Sequence, residues 1–131
     1  MARITLFRHA KAETPAIQKS DFDRILSNRG RSNADRMGRF IARNNLLPDI
    51  VIVSPAARTR ETHELASVHW PDIPVIYRDS IYEASATNIL KAIDSLASDA
   101  ERVMVIGHNP GLAVLLGNLV ATPPPDANIF Y

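Results

Sequence analysis

Ile50-Val51-Ile52-Val53-Ser54-Pro55-Ala56-Ala57-Arg58 joins a strand signal directly to a helix signal. Four β-branched residues in unbroken succession suit a strand covered on both faces, because successive side chains point to opposite sides and all of them then meet apolar neighbours. A half-exposed strand would alternate apolar with polar. Ser54 suits a helix cap and Pro55 a first turn, so a helix is expected from there to about Val68, with Arg58 in its opening turns.

The same grammar recurs on either side. Ile4, Leu6 and Phe7 form a short apolar run that stops at Arg8 and His9. Residues 10–32 are polar, contain Pro15 and the Asp21, Asp23, Arg24 cluster, and read mostly as loop with a turn near Gly30. From Ser32 onward, Ala34, Met37, Gly38 and Ile41 recur at helical spacing while Arg36, Arg39 and Arg43 point elsewhere. That spacing predicts an amphipathic helix ending near Asn44 and Asn45. Val75, Ile76 and Tyr77 read as a third strand, and Ile89, Leu90, Ile93, Leu96 and Ala97 as a helix. Val103 to Ile106 is a fourth strand, followed by Gly107-His108-Asn109-Pro110-Gly111. There Asn109 suits the cap of a last helix carrying Leu112, Leu115, Leu116 and Leu119. Strand and helix alternate four times. This order predicts an α/β fold, a three-layer sandwich with a mainly parallel central sheet and helices on both faces. Ligands of such sheets gather beyond the carboxyl ends of the strands, where Arg8, His9, Arg58 and His108 fall.

Composition narrows the classes further. The 131 residues, 46% hydrophobic and 22% charged, suit one globular domain over residues 1–131 and too little chain for two. No apolar run approaches the ~20 residues of a membrane span. Cysteine is absent, which excludes disulfides, a zinc ribbon and a thiol nucleophile. Arg8 interrupts the apolar start where a signal peptide would continue, so a cytoplasmic protein is expected. A net charge of +1 gives no general argument for nucleic acid or an anionic membrane as partner. Its placement is uneven, with twelve Lys or Arg against five Asp or Glu in residues 1–60, and three against nine in 61–131. Twelve of the fifteen cations are arginine, whose planar fork suits carboxylate or phosphate, so an anionic substrate is expected.

Neither a GxGxxG nor a Walker loop is present, so glycine-rich backbone does not cradle the phosphate. Two arginines and two imidazoles at three strand ends would converge on one pocket instead, and a phosphoryl group (or sulfate in its place) is the natural occupant. A neutral imidazole can attack phosphorus while the arginines, and the second histidine if protonated, neutralise the equatorial oxygens. His63 and His69 have no ligand spacing with another acid or histidine and read as surface or packing residues. Arg24, Arg29 and Lys11 read first as solvated or locally paired charges.

The run Leu6-Phe7-Arg8-His9-Ala10-Lys11-Ala12 resembles the Arg-His-Gly signature of the histidine phosphatase superfamily, in an Arg-His-Ala form. The segment from Asp23 through Leu26, Ser27, Gly30 and Gly38 resembles the one that follows it in the small SixA-like branch, the phosphohistidine phosphatases. Ser54-Pro55-Ala56 with Arg58, Arg60 and Thr62 resembles the second block, Tyr82-Glu83-Ala84 the third, and Gly107-His108-Asn109-Pro110-Gly111 the fourth. The resemblance spans nearly the whole chain. It implies that His9 is the nucleophile that becomes phosphorylated, that Arg8, Arg58 and His108 form the phosphate pocket, and that neither metal nor cofactor is required. Glu83 corresponds to the proton donor of members that cleave esters. Phosphohistidine asks less of such a group, because its P–N bond is labile once the imidazole is protonated.

Three departures temper the resemblance. Ala10 stands where glycine is usual, which would strain a backbone of positive φ. The Pro15 region lacks the Asn of sugar-phosphate mutases. Members of the family continue past a stretch like Asn128-Ile129-Phe130-Tyr131 into another strand, so the chain reads as cut short of a C-terminal strand, with a sheet edge left open. The reading that follows is a metal-independent phosphatase acting on a phosphohistidine-bearing signalling protein, such as a histidine-containing phosphotransfer domain. The alternatives are a phosphomonoesterase of small metabolites, in which Glu83 matters strongly, and a phosphate-binding module without turnover.

Overall fold

Five parallel strands lie in the order β3-β2-β4-β1-β5: β1 (Arg3–Arg8), β2 (Ile50–Val53), β3 (Val75–Tyr77), β4 (Arg102–Gly107) and β5 (Ala127–Phe130). The helices between them are α1 (Asn28–Arg43), α2 (Ala57–Ala66), α3 (Ala86–Leu96) and α4 (Gly111–Ala121), with 3₁₀ turns at Asp21–Asp23, Ser67–His69 and Asp79–Ile81. This computed structural model describes residues 3–15, 20–121 and 127–130.

The period of two divides the core. Ile4, Leu6, Ile52, Val103 and Val105 face one way, onto Ala86, Ile89 and Ile93 of α3 and Leu112 and Leu115 of α4. Phe7, Val51, Val53, Met104 and Ile106 face the other, onto Met37 and Ile41 of α1, Ala66 of α2, and Trp70. Both faces of β2 and β4 are therefore covered, as their continuous apolar runs require. Each such buried side chain contributes about 1.5–3 kcal/mol relative to exposure. The three-layer α/β sandwich is the architecture expected.

Two boundaries differ from expectation, and each bears on the site. The segment read as loop up to Ser32 already turns helical at Asn28, because the Ser27 hydroxyl accepts the Gly30 N–H at 3.0 Å and caps α1. Gly30 is thus no turn glycine. A Cβ there would lie 2.0 Å from the Lys11 carbonyl oxygen, so glycine lets the chain leaving β1 cross over the start of α1. Ser27 N–H then donates to that same carbonyl at 2.9 Å. The tail is the second difference. Ala127–Phe130, not among the four strands read in the sequence, is β5, parallel to β1 in the register Ile4↔Ala127 to Phe7↔Phe130. The prolines 123–125 and Tyr131 lie outside the described residues.

Candidate active site

Backbone hydrogen bonds align the carboxyl ends of three strands. His9 N–H donates to the Gly107 carbonyl and Ser54 N–H to the Ile106 carbonyl, both at 3.1 Å, so the residues leaving β1, β2 and β4 emerge side by side. The segment after β1 is then clamped by α2. Ala10 N–H donates to Thr62 Oγ1 at 3.1 Å, and that hydroxyl donates to the Arg58 carbonyl at 2.7 Å. Ala10 is not among the positive-φ residues, so alanine is accommodated there without strain.

The resulting cleft, of about 680 Å³, is lined by Arg8, His9, Arg58, Glu83 and His108 together. A carbonyl only accepts, so the 2.7 Å contact of His9 Nδ1 with the Ala10 oxygen places the ring proton on Nδ1. Nε2 is left bare. Arg58 Nε–H points at it from 3.4 Å, and the guanidinium is otherwise spent on Asp21: Nη1 donates to its carbonyl at 2.7 Å and Nη2 to Oδ2 at 3.0 Å. Arg58 is buried, which makes this fork a fixed part of the cleft wall. His108 is also buried, its ring centroid 5.4 Å from that of His9 and its Nε2 sharing a 2.7 Å hydrogen bond with Ser54 Oγ. Its Nδ1 is buried with no partner among the described residues. Such an unsatisfied nitrogen is uncommon in a core. Arg8 and Glu83 are exposed on the rim, and Glu83 holds φ 51.

A family model described as the histidine phosphatase superfamily (branch 1) matches residues 4–89. The chain belongs to this superfamily. An uncharacterized protein of Mycobacterium tuberculosis is 30% identical over 118 residues, covering 88% of this chain and 72% of the relative. Among solved structures, a protein from Agrobacterium tumefaciens named as a phosphohistidine phosphatase SixA is 31% identical with a TM-score of 0.88, over 92% of this chain and 78% of that one. A SixA-named protein from Nakamurella multipartitia is 34% identical with a TM-score of 0.73, over 84% of this chain and 62% of its own. The chain is thus a histidine phosphatase superfamily member of the SixA-like branch.

Electrostatics in this superfamily member hold both imidazoles neutral. Burial, reinforced by Arg58 and Arg8, brings the His9 pKa down to about 4 despite the opposing Ala10 carbonyl. Burial, then Arg58 and His9, brings His108 down to about 3. The option of a cationic second histidine is therefore corrected for the unliganded site, where His108 is a neutral hydrogen-bonding group. The cations of the cleft are arginines, with Lys11 and Arg24 also lining it.

Four contributors escaped the sequence reading. Ser54, read as a helix cap, leaves that position to Ala56 and gives its hydroxyl to His108 instead. Thr62 holds the signature backbone. Asp21, read as part of a polar loop, binds Arg58, accepts the Tyr82 hydroxyl at 2.6 Å and takes Arg24 Nη2 at 2.9 Å. Only the placement of an acid within a basic stretch hinted at it. Tyr82, quoted merely as a neighbour of Glu83, is pushed up to about 12 by burial and by Asp21, so it remains a donor. Arg29 is not among the residues lining the cleft. His69 shares a 2.8 Å contact with Asp35, and His63 lies buried against Trp70 and Tyr77, so both serve packing and local pairing. Among the described residues no group of three or more His, Asp or Glu is arranged to hold a metal ion, and no helix is long and apolar enough to cross a membrane.

Proposed function

We propose that the protein is a cytoplasmic, metal-independent phosphatase that removes phosphate from a histidine of a signalling protein, such as a histidine-containing phosphotransfer domain. The observation that carries this reading is the His9 ring: its Nδ1 proton is fixed on the Ala10 carbonyl, and its bare, neutral Nε2 faces the Arg58 guanidinium. Nε2 attacks phosphorus, the P–N bond to the substrate ring breaks, and the bonding pair stays on that ring nitrogen. Arg8 and Arg58 neutralise the charge on the equatorial oxygens, with His108 as a neutral partner beside them. Water then attacks the phosphoryl group on His9, the pair of the second P–N bond returns to Nε2, and inorganic phosphate leaves. The similarity to SixA-named proteins supports the substrate class, as does a cleft whose rim residues Arg8 and Glu83 are exposed.

Glu83 on the same cleft favours a second reading, hydrolysis of a small phosphate ester, for which a carboxyl must protonate the leaving oxygen. The two are separated by measuring phosphate release from a phosphorylated phosphotransfer domain, with chelator present and an aryl phosphate as competitor. Release that survives chelation, prefers the protein and falls at least about 10³-fold in His9→Ala is the expected result. Preference for the aryl phosphate would establish the ester reading. No turnover of either, with phosphate or sulfate still bound, would leave a binding module.

A further inference from the structure

A phosphate pocket built from arginines creates a difficulty for a phosphohistidine substrate. The P–N bond breaks readily when the distal ring nitrogen is protonated, so the reactive ring is a cation before it leaves. Arg8, Arg24, Arg58 and Lys11 line the cleft and would repel it. Two carboxylates line the same cleft, Asp21 and Glu83. Glu83 is exposed on the cleft rim, without the side-chain hydrogen bonds that hold Asp21.

Asp21 is different. Its Oδ2 accepts Arg58 Nη2 at 3.0 Å and the Tyr82 hydroxyl at 2.6 Å, and its Oδ1 accepts Arg24 Nη2 at 2.9 Å. A carboxylate offers about four acceptor positions, so one remains, on Oδ1. The side chain is 40% exposed. One guanidinium separates it from the nucleophile, with contacts of 3.0 Å to Asp21 and 3.4 Å to His9 Nε2. That span is on the scale of a phosphoryl group with an imidazole attached.

We propose that the free acceptor position of Asp21 receives the protonated distal nitrogen of the substrate imidazole, which makes Asp21 the residue that favours phosphohistidine over phosphate esters. This rests on the phosphohistidine reading above. Asp21 moves no proton. The ring arrives with its N–H, the carboxylate stabilises that form, the P–N pair collapses onto the proximal nitrogen, and a neutral imidazole departs. Tyr82 and the two arginines hold the Asp21 carboxyl well below the usual carboxylate range, so its charge is constant over the working pH. The charged or titratable groups facing it are Arg24 beside it, Arg58 on α2, Tyr82 and Glu83 before α3, and Arg8, His9 and His108 across the cleft. His9 and His108 are neutral above about pH 4. The titration left to set the alkaline limb of turnover is then that of the substrate ring, and Asp21 moves it upward.

The test uses the full chain with two substrates of similar size, free phosphohistidine and phenyl phosphate, across pH. Asp21→Asn keeps the shape and removes the charge. Its kcat/KM for phosphohistidine is expected to fall about tenfold more than that for phenyl phosphate, and its alkaline limb in kcat to move down by about half to one pH unit. Tyr82→Phe loosens the same carboxylate but keeps its charge, so its limb stays in place. Wild type supplies a measurement that needs no variant, since its limb should lie above the ring pKa of free phosphohistidine determined by NMR. Equal losses on both substrates, or a wild-type limb at or below the free value, would overturn the inference and leave the phosphatase reading standing. A wild type that turns over phenyl phosphate and never phosphohistidine would overturn both.

Discussion

Glu83 occupies the left-handed region at φ 51, a conformation that costs a non-glycine residue on the order of 1 kcal/mol and recurs where a side chain must be aimed. Its side chain lines the cleft, where under the ester reading its carboxyl would protonate the leaving oxygen, while an imidazole that arrives protonated needs no proton from it. Glu83→Gln therefore should slow aryl phosphate turnover by about 10²-fold and phosphohistidine turnover less than about threefold, read as kcat on each substrate. Equal effects on the two would assign Glu83 a common role. Arg58 presents the opposite case, a buried side chain with every nitrogen committed. Nε addresses His9 while both terminal nitrogens hold Asp21, and an ammonium cannot make three contacts in that plane. Arg58→Lys should cost about 10²-fold or more in kcat/KM with the fold retained by circular dichroism. A loss under about fivefold would mean that charge alone suffices at this place. Of the residues that line the cleft together, Arg8, His9, Arg58 and His108 were legible because each stands beside a strand or helix signal, while Glu83 entered only through its match to the family's third block. Asp21 was not, since an acid in a polar loop has no periodicity to mark it and acquires its meaning only when the loop closes over Arg58.

Two glycines in α1 show how elements set the site without touching it. A Cβ on Gly38 would stand 2.2 Å from the Ala66 carbonyl oxygen, so glycine allows α1 and α2 to approach backbone to backbone. A Cβ on Gly30 would meet Lys11 instead, two residues past His9. Alanine favours helix at both positions by about 1 kcal/mol, and overpacking against rigid backbone opposes it by about 1–3 kcal/mol or more. The two variants should be alike in lowering the urea midpoint and unlike in function. Gly38→Ala weakens the pairing of α1 with α2 and should leave kcat within about twofold. Gly30→Ala displaces the signature backbone and should lower kcat by about tenfold or more, as a 1 Å misplacement of a nucleophile does. Activity lost equally in both would show that the site depends on the whole layer. The same glycine explains a boundary that the sequence misplaced. Gly30 carries the signal of a turn, and only the crossing of Lys11 reveals that its small size is used for a close approach inside a capped helix. Ser54 misled for a related reason, because a hydroxyl before Pro55 has the form of a cap until His108 arrives from β4 to claim it.

At the scale of the molecule, the four apolar runs announced the sheet and its alternation with helices, whereas β5 stayed hidden. Ala127-Asn128-Ile129-Phe130 has no continuous β-branched run, and its place is assigned by pairing with β1 rather than by its own pattern. What the assembled fold adds is a common electrostatic state for its histidines. Three of the four are lowered by burial: His9 to about 4, His108 to about 3, and His63 in the same direction. The unfolded chain binds protons at these rings as pH falls through 6.5, whereas the native chain leaves His9 unprotonated until about 4 and His108 until about 3, and burial holds His63 below its ordinary value. Stability therefore rises with pH across that window and is lost on acidification through it. Asp21, lowered from 3.8, continues the loss at still lower pH in the same direction. The urea midpoint should be flat from pH 8 to 7 and decline steadily between about 6.5 and 4. His9→Asn, which removes one titrating ring while keeping a polar group of similar reach, should make that decline shallower and bring the pH 5 midpoint closer to the pH 7 value. A midpoint that does not change with pH over this range, or a decline unaltered by His9→Asn, would show that the His9 ring is hydrated and protonates normally. Its bare Nε2 would then be lost near pH 6.5, and the acid limb of turnover would sit there instead of near pH 4.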